Sequence, residues 1–283
     1  GKQGDIDRKN IFQYVPQYLH SKEIFDQEWL KYACNVLEIK LPNREYEIAC
    51  YAYERLLFSL LVASDYYATA YQKENYCIES YGTITDINKL YQIYSDTDVM
   101  KKIRDYQKTE EHTDQNINSL RTDLFLESEQ TLLRHLDENI YYLEAPTGSG
   151  KSNTAMNLSF QLIRNCDCLD KIMYIYPFNT LVEQNESILR KIFGENPEAI
   201  EQIKVVNSIT PIYQTEVKEE NEKYVTACQK ALLDRQFFNY PIAVSTHVTL
   251  FRTMFGDNRE DAFSFHQLAN SVIVLDEIQS YRN

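Results

Sequence analysis

The segment Ala145-Pro146-Thr147-Gly148-Ser149-Gly150-Lys151-Ser152 constrains this chain more than any other. It lies between an apolar run, Ile140 to Leu143, and an amphipathic stretch, Ser152 to Ile163, with helical spacing. Strand, glycine-containing loop and helix, in that order, form the setting in which such a loop binds nucleotide phosphates. The glycines let backbone N–H groups close around an anion, and the helix N-terminus adds its partial positive charge. Lys151 is placed to reach the β- and γ-phosphates and the Ser152 hydroxyl to bind Mg2+, so the expected ligand is ATP with Mg2+. The usual pattern opens with glycine, and here that slot is Ala145. The competing explanation, a Gly-Ser turn beside a surface lysine, leaves the flanking apolar run and helix to coincidence.

A second element points the same way. Ser271 to Leu275 is a continuous apolar run that ends in Asp276-Glu277-Ile278-Gln279. Such a run suits a buried central parallel strand, with its carboxylates at the C-terminal edge, where ligands bind in open α/β sheets. Asp276 is then a candidate to hold Mg2+ through water, and Glu277 to orient and deprotonate the water that attacks the γ-phosphate. The plainer reading is a solvated acidic turn after a strand. Paired acids here favour hydrolysis over phosphoryl transfer to a small acceptor.

Between these elements the chain alternates as an α/β domain does. Lys171 to Tyr176, Ile203 to Val206 and Ile242 to Ser245 read as strands. Phe178 to Phe193, Glu220 to Phe238 and His247 to Phe255 read as helices. The expected fold class is α/β: a RecA-like parallel sheet flanked by helices, preceded by an all-α segment.

The wording and order of the motifs resemble the first motor domain of a superfamily 2 helicase, and more closely the CRISPR-associated helicase–nuclease of type I systems. Leu143 to Lys151 resembles motif I of that family, and Tyr174 to Asn185 its motif Ia. Val244-Ser245-Thr246-His247 resembles the DNA-contacting threonine motif, and Val274 to Tyr281 motif II, with Gln279 where histidine is common. Asn118, Arg121 and Glu129 fall where the family has a segment leading into its first strand. The resemblance covers roughly residues 116–283 and implies an ATP-driven helicase or translocase acting on single-stranded DNA. Its implied partner is a type I CRISPR guide-RNA surveillance complex. Thr180 and Thr246 are the implied nucleic-acid contacts; threonine also favours helix N-caps, which is the alternative for both.

Residues 1–100 read as a helical segment and 101–115 as a linker. Arg44 to Gln72 has the apolar spacing of one long helix or two, and Trp29 to Leu37 suggests a helix before it. The family resemblance implies that this segment is the C-terminal part of an HD nuclease domain, with Asp65 a ligand of a divalent transition metal. The alternative is a helix aspartate that is exposed or satisfied by a tyrosine hydroxyl. The other ligands are missing, because none of the five histidines is followed by Asp. The second RecA-like domain of such a motor is also missing, so the chain is expected to be an internal fragment, weak or inactive in isolation.

Composition fits a soluble globular protein, with 43% hydrophobic and 25% charged residues, and no apolar run long enough for a membrane span. The six cysteines read as reduced thiols of a cytoplasmic protein, since the one close pair, Cys166 and Cys168, lacks zinc-site spacing. The net charge of −13 is unusual for a nucleic-acid binder. The acid concentrates between Asp105 and Glu144, whereas Lys223 to Arg252 is mainly basic. That charge keeps a second class open: a nucleotide-dependent clamp or switch that binds a partner without unwinding. The 22 tyrosines, Tyr66, Tyr67, Tyr141 and Tyr142 among them, read as packing residues rather than base-stacking platforms.

Overall fold

Six consecutive buried residues make β1 (Lys171–Tyr176) the middle of the fold. The computed structural model describes residues 44–74, 81–107, 117–206, 234 and 237–281. The chain divides into two units, Gly1–Glu54 and Arg55–Asn283. Of the first, only the opening turns of helix α1 (Arg44–Glu74) are described.

β1 pairs in parallel with β3 (Ile242–Thr246) on one side and β4 (Ser271–Leu275) on the other; β2 (Ile203–Val206) adds to β3, giving the order β2-β3-β1-β4. Parallel pairing requires crossovers, and the helices supply them. α6 (Asn179–Phe193) and the short α7 (Pro197–Glu201) follow β1, and α8 (His247–Phe255) follows β3. Side chains of period two divide the sheet into its faces. Ile172, Tyr174, Tyr176, Ile242 and Val244 share a core with Phe160, Leu189 and Phe193. Met173, Ile175 and Ala243 pack on the opposite face with Leu250 of α8. The result is the expected three-layer RecA-like α/β arrangement.

Four helices complete the first face: α2 (Ile87–Ser95), α3 (Asp98–Gln107), α4 (Ile117–Arg134) and α5 (Lys151–Asn165). Leu90, Tyr94, Met100 and Ile103 of α2 and α3 belong to the same core as Phe125 and Phe160. Residues 101–107, expected as linker, are therefore helix packed into the same core, because Met100 and Ile103 form an apolar stripe one turn apart. Gly82, at φ +73°, lets the chain before α2 pass against Asn239, where a Cβ would fall 2.2 Å from a backbone carbon. From Arg55 onward α1 packs Val62, Ala63 and Tyr67 against Phe237 and Phe263. The Arg55 guanidinium bonds the carbonyls of Arg252 and Thr253 near the C-terminal end of α8, where a cation is favoured.

Three expectations are corrected. Ile140 to Leu143 is not a strand: residues 140–146 run without a ladder partner, with Ile140 72% and Tyr142 90% exposed. The Tyr141 hydroxyl instead bonds the carbonyls of His135 and Glu138 at 2.7 and 2.9 Å, tying the segment back to the end of α4. Consequently β4 is an edge strand rather than a central one among the described residues, and Leu275 is 39% exposed. Tyr142 does not pack, whereas Tyr67 is buried and Tyr66 lies edge-on to Phe237. The helices expected over Trp29 to Leu37 and over most of Glu220 to Phe238 lie outside the described residues. Phe237 and Phe238 form a turn, with Phe238 at φ +54°.

Candidate nucleotide site

The loop Ala145 to Gly150 passes directly into α5, whose first residue is Lys151. Gly148 and Gly150 have φ of +80° and +90°, the left-handed region that glycine enters without a steric penalty. Ser149 N–H donates to the Pro146 carbonyl at 3.2 Å, closing a tight turn over Thr147 and Gly148. A Cβ at Gly150 would meet nothing within 4 Å, so open space lies over the loop. The N–H groups of the first turn of α5 have no carbonyls within the helix to bond. The Ser149 hydroxyl is buried without a hydrogen-bond partner. Lys151 Nζ donates to the Ala145 carbonyl at 2.9 Å, folded over its own loop. Ser152 is exposed at the helix start. An orphaned hydroxyl, unpaired amides and an ammonium group beside open space fit a polyphosphate.

The acidic pair arrives from the far end of β4. Asp276 N–H donates to the Ile175 carbonyl at 3.0 Å, continuing the ladder one residue past the strand. Burial raises the Asp276 carboxyl above its usual range; the Glu277 N–H opposes this, the Glu277 charge adds to it, and the Lys151 charge opposes it. Glu277 N–H donates to Asp276 Oδ1 at 2.9 Å, and Glu277 has φ +52°. Gln279 donates its amide to Glu277 Oε2. The sequence singles Gln279 out only as a departure from histidine; its contact with Glu277 has no signal in the spacing.

Thr180 and Thr246 come to this same C-terminal edge. Tyr176 is the register partner of Thr246, and Thr180 follows four residues later. Thr180 is exposed in the first turn of α6, whose N-cap is Phe178. Thr246 is itself the N-cap of α8, but its hydroxyl makes no cap bond and lies 3.3 Å from that of Thr249. Next to it, His247 stacks on Tyr281 at 4.8 Å, and the Tyr281 hydroxyl donates to the Ile175 carbonyl. Neither contact has a sequence signature.

Upstream, Arg121 of α4 donates from Nε to the Gly148 carbonyl at 2.7 Å. Two turns further along α4, Glu129 holds Arg104 of α3 through both oxygens, at 2.8 and 2.7 Å. Asn157 and Gln161 of α5 also donate to Glu129. Burial pushes the Glu129 carboxyl up, but these donors outweigh it and hold it below the usual carboxylate range.

Asp65 is exposed on α1, and among the described residues no group of three or more His, Cys, Asp or Glu could hold a metal ion. Cys166 and Cys168 are free thiols. No helix of the described residues is long and apolar enough to cross a membrane.

Residues 121–283 match the family described as DEAD/DEAH box helicase, which is more than half of the chain. No curated protein matches it. The phosphate loop, the acid pair at the sheet edge and the parallel α/β sheet agree with that match, and the chain belongs to the DEAD/DEAH box helicases, a superfamily 2 family of nucleotide-dependent, nucleic-acid-binding enzymes.

Proposed function

We propose that this chain carries the ATP-hydrolysing first lobe, residues 116–283, of a DNA translocase. The observation that carries this reading is the loop before α5: glycines at φ +80° and +90°, a buried Ser149 hydroxyl with no partner, and Lys151 folded over it at the helix start. In this reading the amides of residues 145–152 cradle the phosphates and Lys151 leaves the Ala145 carbonyl to reach them. Ser152 and Asp276 hold Mg2+, which when bound neutralises charge on the phosphates. Glu277 orients and deprotonates the attacking water, and Gln279 steadies the Glu277 carboxylate. Thr180 and Thr246 contact the backbone of single-stranded DNA, as hydroxyls and helix N-termini commonly do.

The motif wording supports the finer assignment: a cytoplasmic type I CRISPR helicase–nuclease working with a guide-RNA surveillance complex. Residues 1–100 would then be the end of an HD domain, with Asp65 one ligand of its transition metal. The test is ATP turnover by the intact protein with and without single-stranded DNA, alongside strand displacement. DNA-stimulated turnover with displacement is expected. Turnover without either would favour the second reading, a nucleotide-dependent clamp, which the net charge of −13 supports.

A further inference from the structure

The Gly148–Ser149 peptide sits at the turn of the phosphate loop. It follows a glycine at φ +80°, where rotation meets little steric resistance. In a planar trans peptide the carbonyl and the next N–H point in opposite directions. The orientation of the Gly148 carbonyl therefore fixes that of Ser149 N–H, which closes the turn on Pro146. A reversed peptide would break that turn and reorient a carbonyl dipole inside a loop meant for an anion.

Arg121 holds this carbonyl from outside the loop, Nε to oxygen at 2.7 Å. Its guanidinium is oriented in turn by Nη1 donating to Asn118 Oδ1 at 3.2 Å, one turn earlier on α4. The helix that presents it is anchored. Glu129 receives Arg104 from α3 and Asn157 and Gln161 from α5, so α4 and the phosphate-loop helix share one polar junction. Arg121 itself is exposed, and its bond to a carbonyl contributes little to global stability.

We propose that Arg121 is a positioning residue for nucleotide binding: it latches the Gly148 carbonyl toward α4 and so presets the phosphate loop. This rests on the nucleotide reading of the loop. Its effect falls on phosphates common to ADP and ATP, since the latch acts on the loop and not on the γ-phosphate.

The test uses the full 283-residue chain. Binding of MgADP and MgATP is titrated with fluorescent analogues, and melting is followed without ligand. Arg121→Ala should weaken both nucleotides by roughly tenfold, the scale of one charge-assisted hydrogen bond. Arg121→Lys, which keeps one donor, should recover part of that loss. The melting temperature of the unliganded variants should stay within about 2 °C of wild type, as for an exposed site. Affinities within twofold of wild type would overturn the latch. So would a loss confined to ATP, which marks a direct γ-phosphate contact, or a loss matched by a fall in unliganded stability. If the wild-type chain binds neither nucleotide, the reading of the loop fails and this inference fails with it.

Discussion

Lys151 donates to the Ala145 carbonyl, and in the proposed function nucleotide binding exchanges that bond for phosphate contacts. Lys151→Ala removes the ammonium group from a half-buried site, and the alanine remains a good helix former at the start of α5. We expect ATP turnover to vanish while the unfolding midpoint moves by less than about 1 kcal/mol, checked by phosphate release and urea titration. Glu277 and Gln279 separate chemistry from positioning. Glu277→Gln should reduce turnover by about 10²-fold or more with nucleotide affinity kept, the scale expected for losing a general base. Gln279→Ala frees the carboxylate without removing it and should reduce turnover by a smaller factor, on the order of tenfold. Equal losses in the two variants would show that Gln279 does more than steady its neighbour. The placement of Lys151 at a helix start and of Asp276 and Glu277 just past a strand end was legible because each sits in a local sequence pattern. The Gln279 and Tyr281 contacts were not, since a turn at φ +52° decides them and no spacing announces it.

Among the elements, α4 does most to join the upstream helices to the phosphate-loop helix. Its Glu129–Arg104 pair is largely buried, with side-chain exposures of 11% and 27%. Removing Glu129 leaves the Arg104 charge and the amide donors of Asn157 and Gln161 without their acceptor. Glu129→Ala should therefore cost about 2–4 kcal/mol, measured by chemical denaturation, slightly discounted from a fully buried pair. α1, α5, α6 and α8 were readable from apolar spacing, with bounds within a residue or two of the expected ones, whereas α2, α3, α4 and α7 were not individually anticipated. The strand before the phosphate loop was not. Ile140 to Leu143 has a strand's composition, but pairing is a long-range property, and β4 does not take it as a neighbour. The same limit made a continuous apolar run read as central when, among the described residues, it forms an edge. The linker expectation failed at 101–107 for the complementary reason: a charged helix surface hid a two-residue apolar stripe.

At the scale of the whole molecule, the end of the sheet away from the phosphate loop is closed by a buried polar network. Lys171 bonds Gln267 and the Phe238 carbonyl; burial lowers its pKa to about 8. Gln267 donates to Asn239 and lies 3.1 Å from His266 Nε2, while His266 Nδ1 meets the Ser59 hydroxyl, which donates to the Phe263 carbonyl. These donors are consistent only with a neutral imidazole that accepts at Nε2. Burial and the Lys171 charge accordingly push His266 from 6.5 to about 4. Between those values the unfolded chain holds more protons than the folded one, so acidification favours unfolding. The stabilisation is fully present above about pH 6.5 and disappears as pH falls through 4, up to about 3 kcal/mol in all. His266→Asn should flatten the difference between urea midpoints at pH 7 and pH 5 relative to wild type. An unchanged pH slope would remove His266 from this role.

One margin of the sheet has a practical corollary. Among the described residues, the outer side of β4 offers main-chain donors and acceptors with no ladder partner, and a bare stretch carrying Ile140 and Tyr142 stands in water close by in sequence to the phosphate loop. Unsatisfied ribbons of this kind recruit other ribbons. In concentrated solution the molecule should stick to its own copies through this seam, so a charged residue in place of Tyr142 is the natural first step toward a well-behaved preparation.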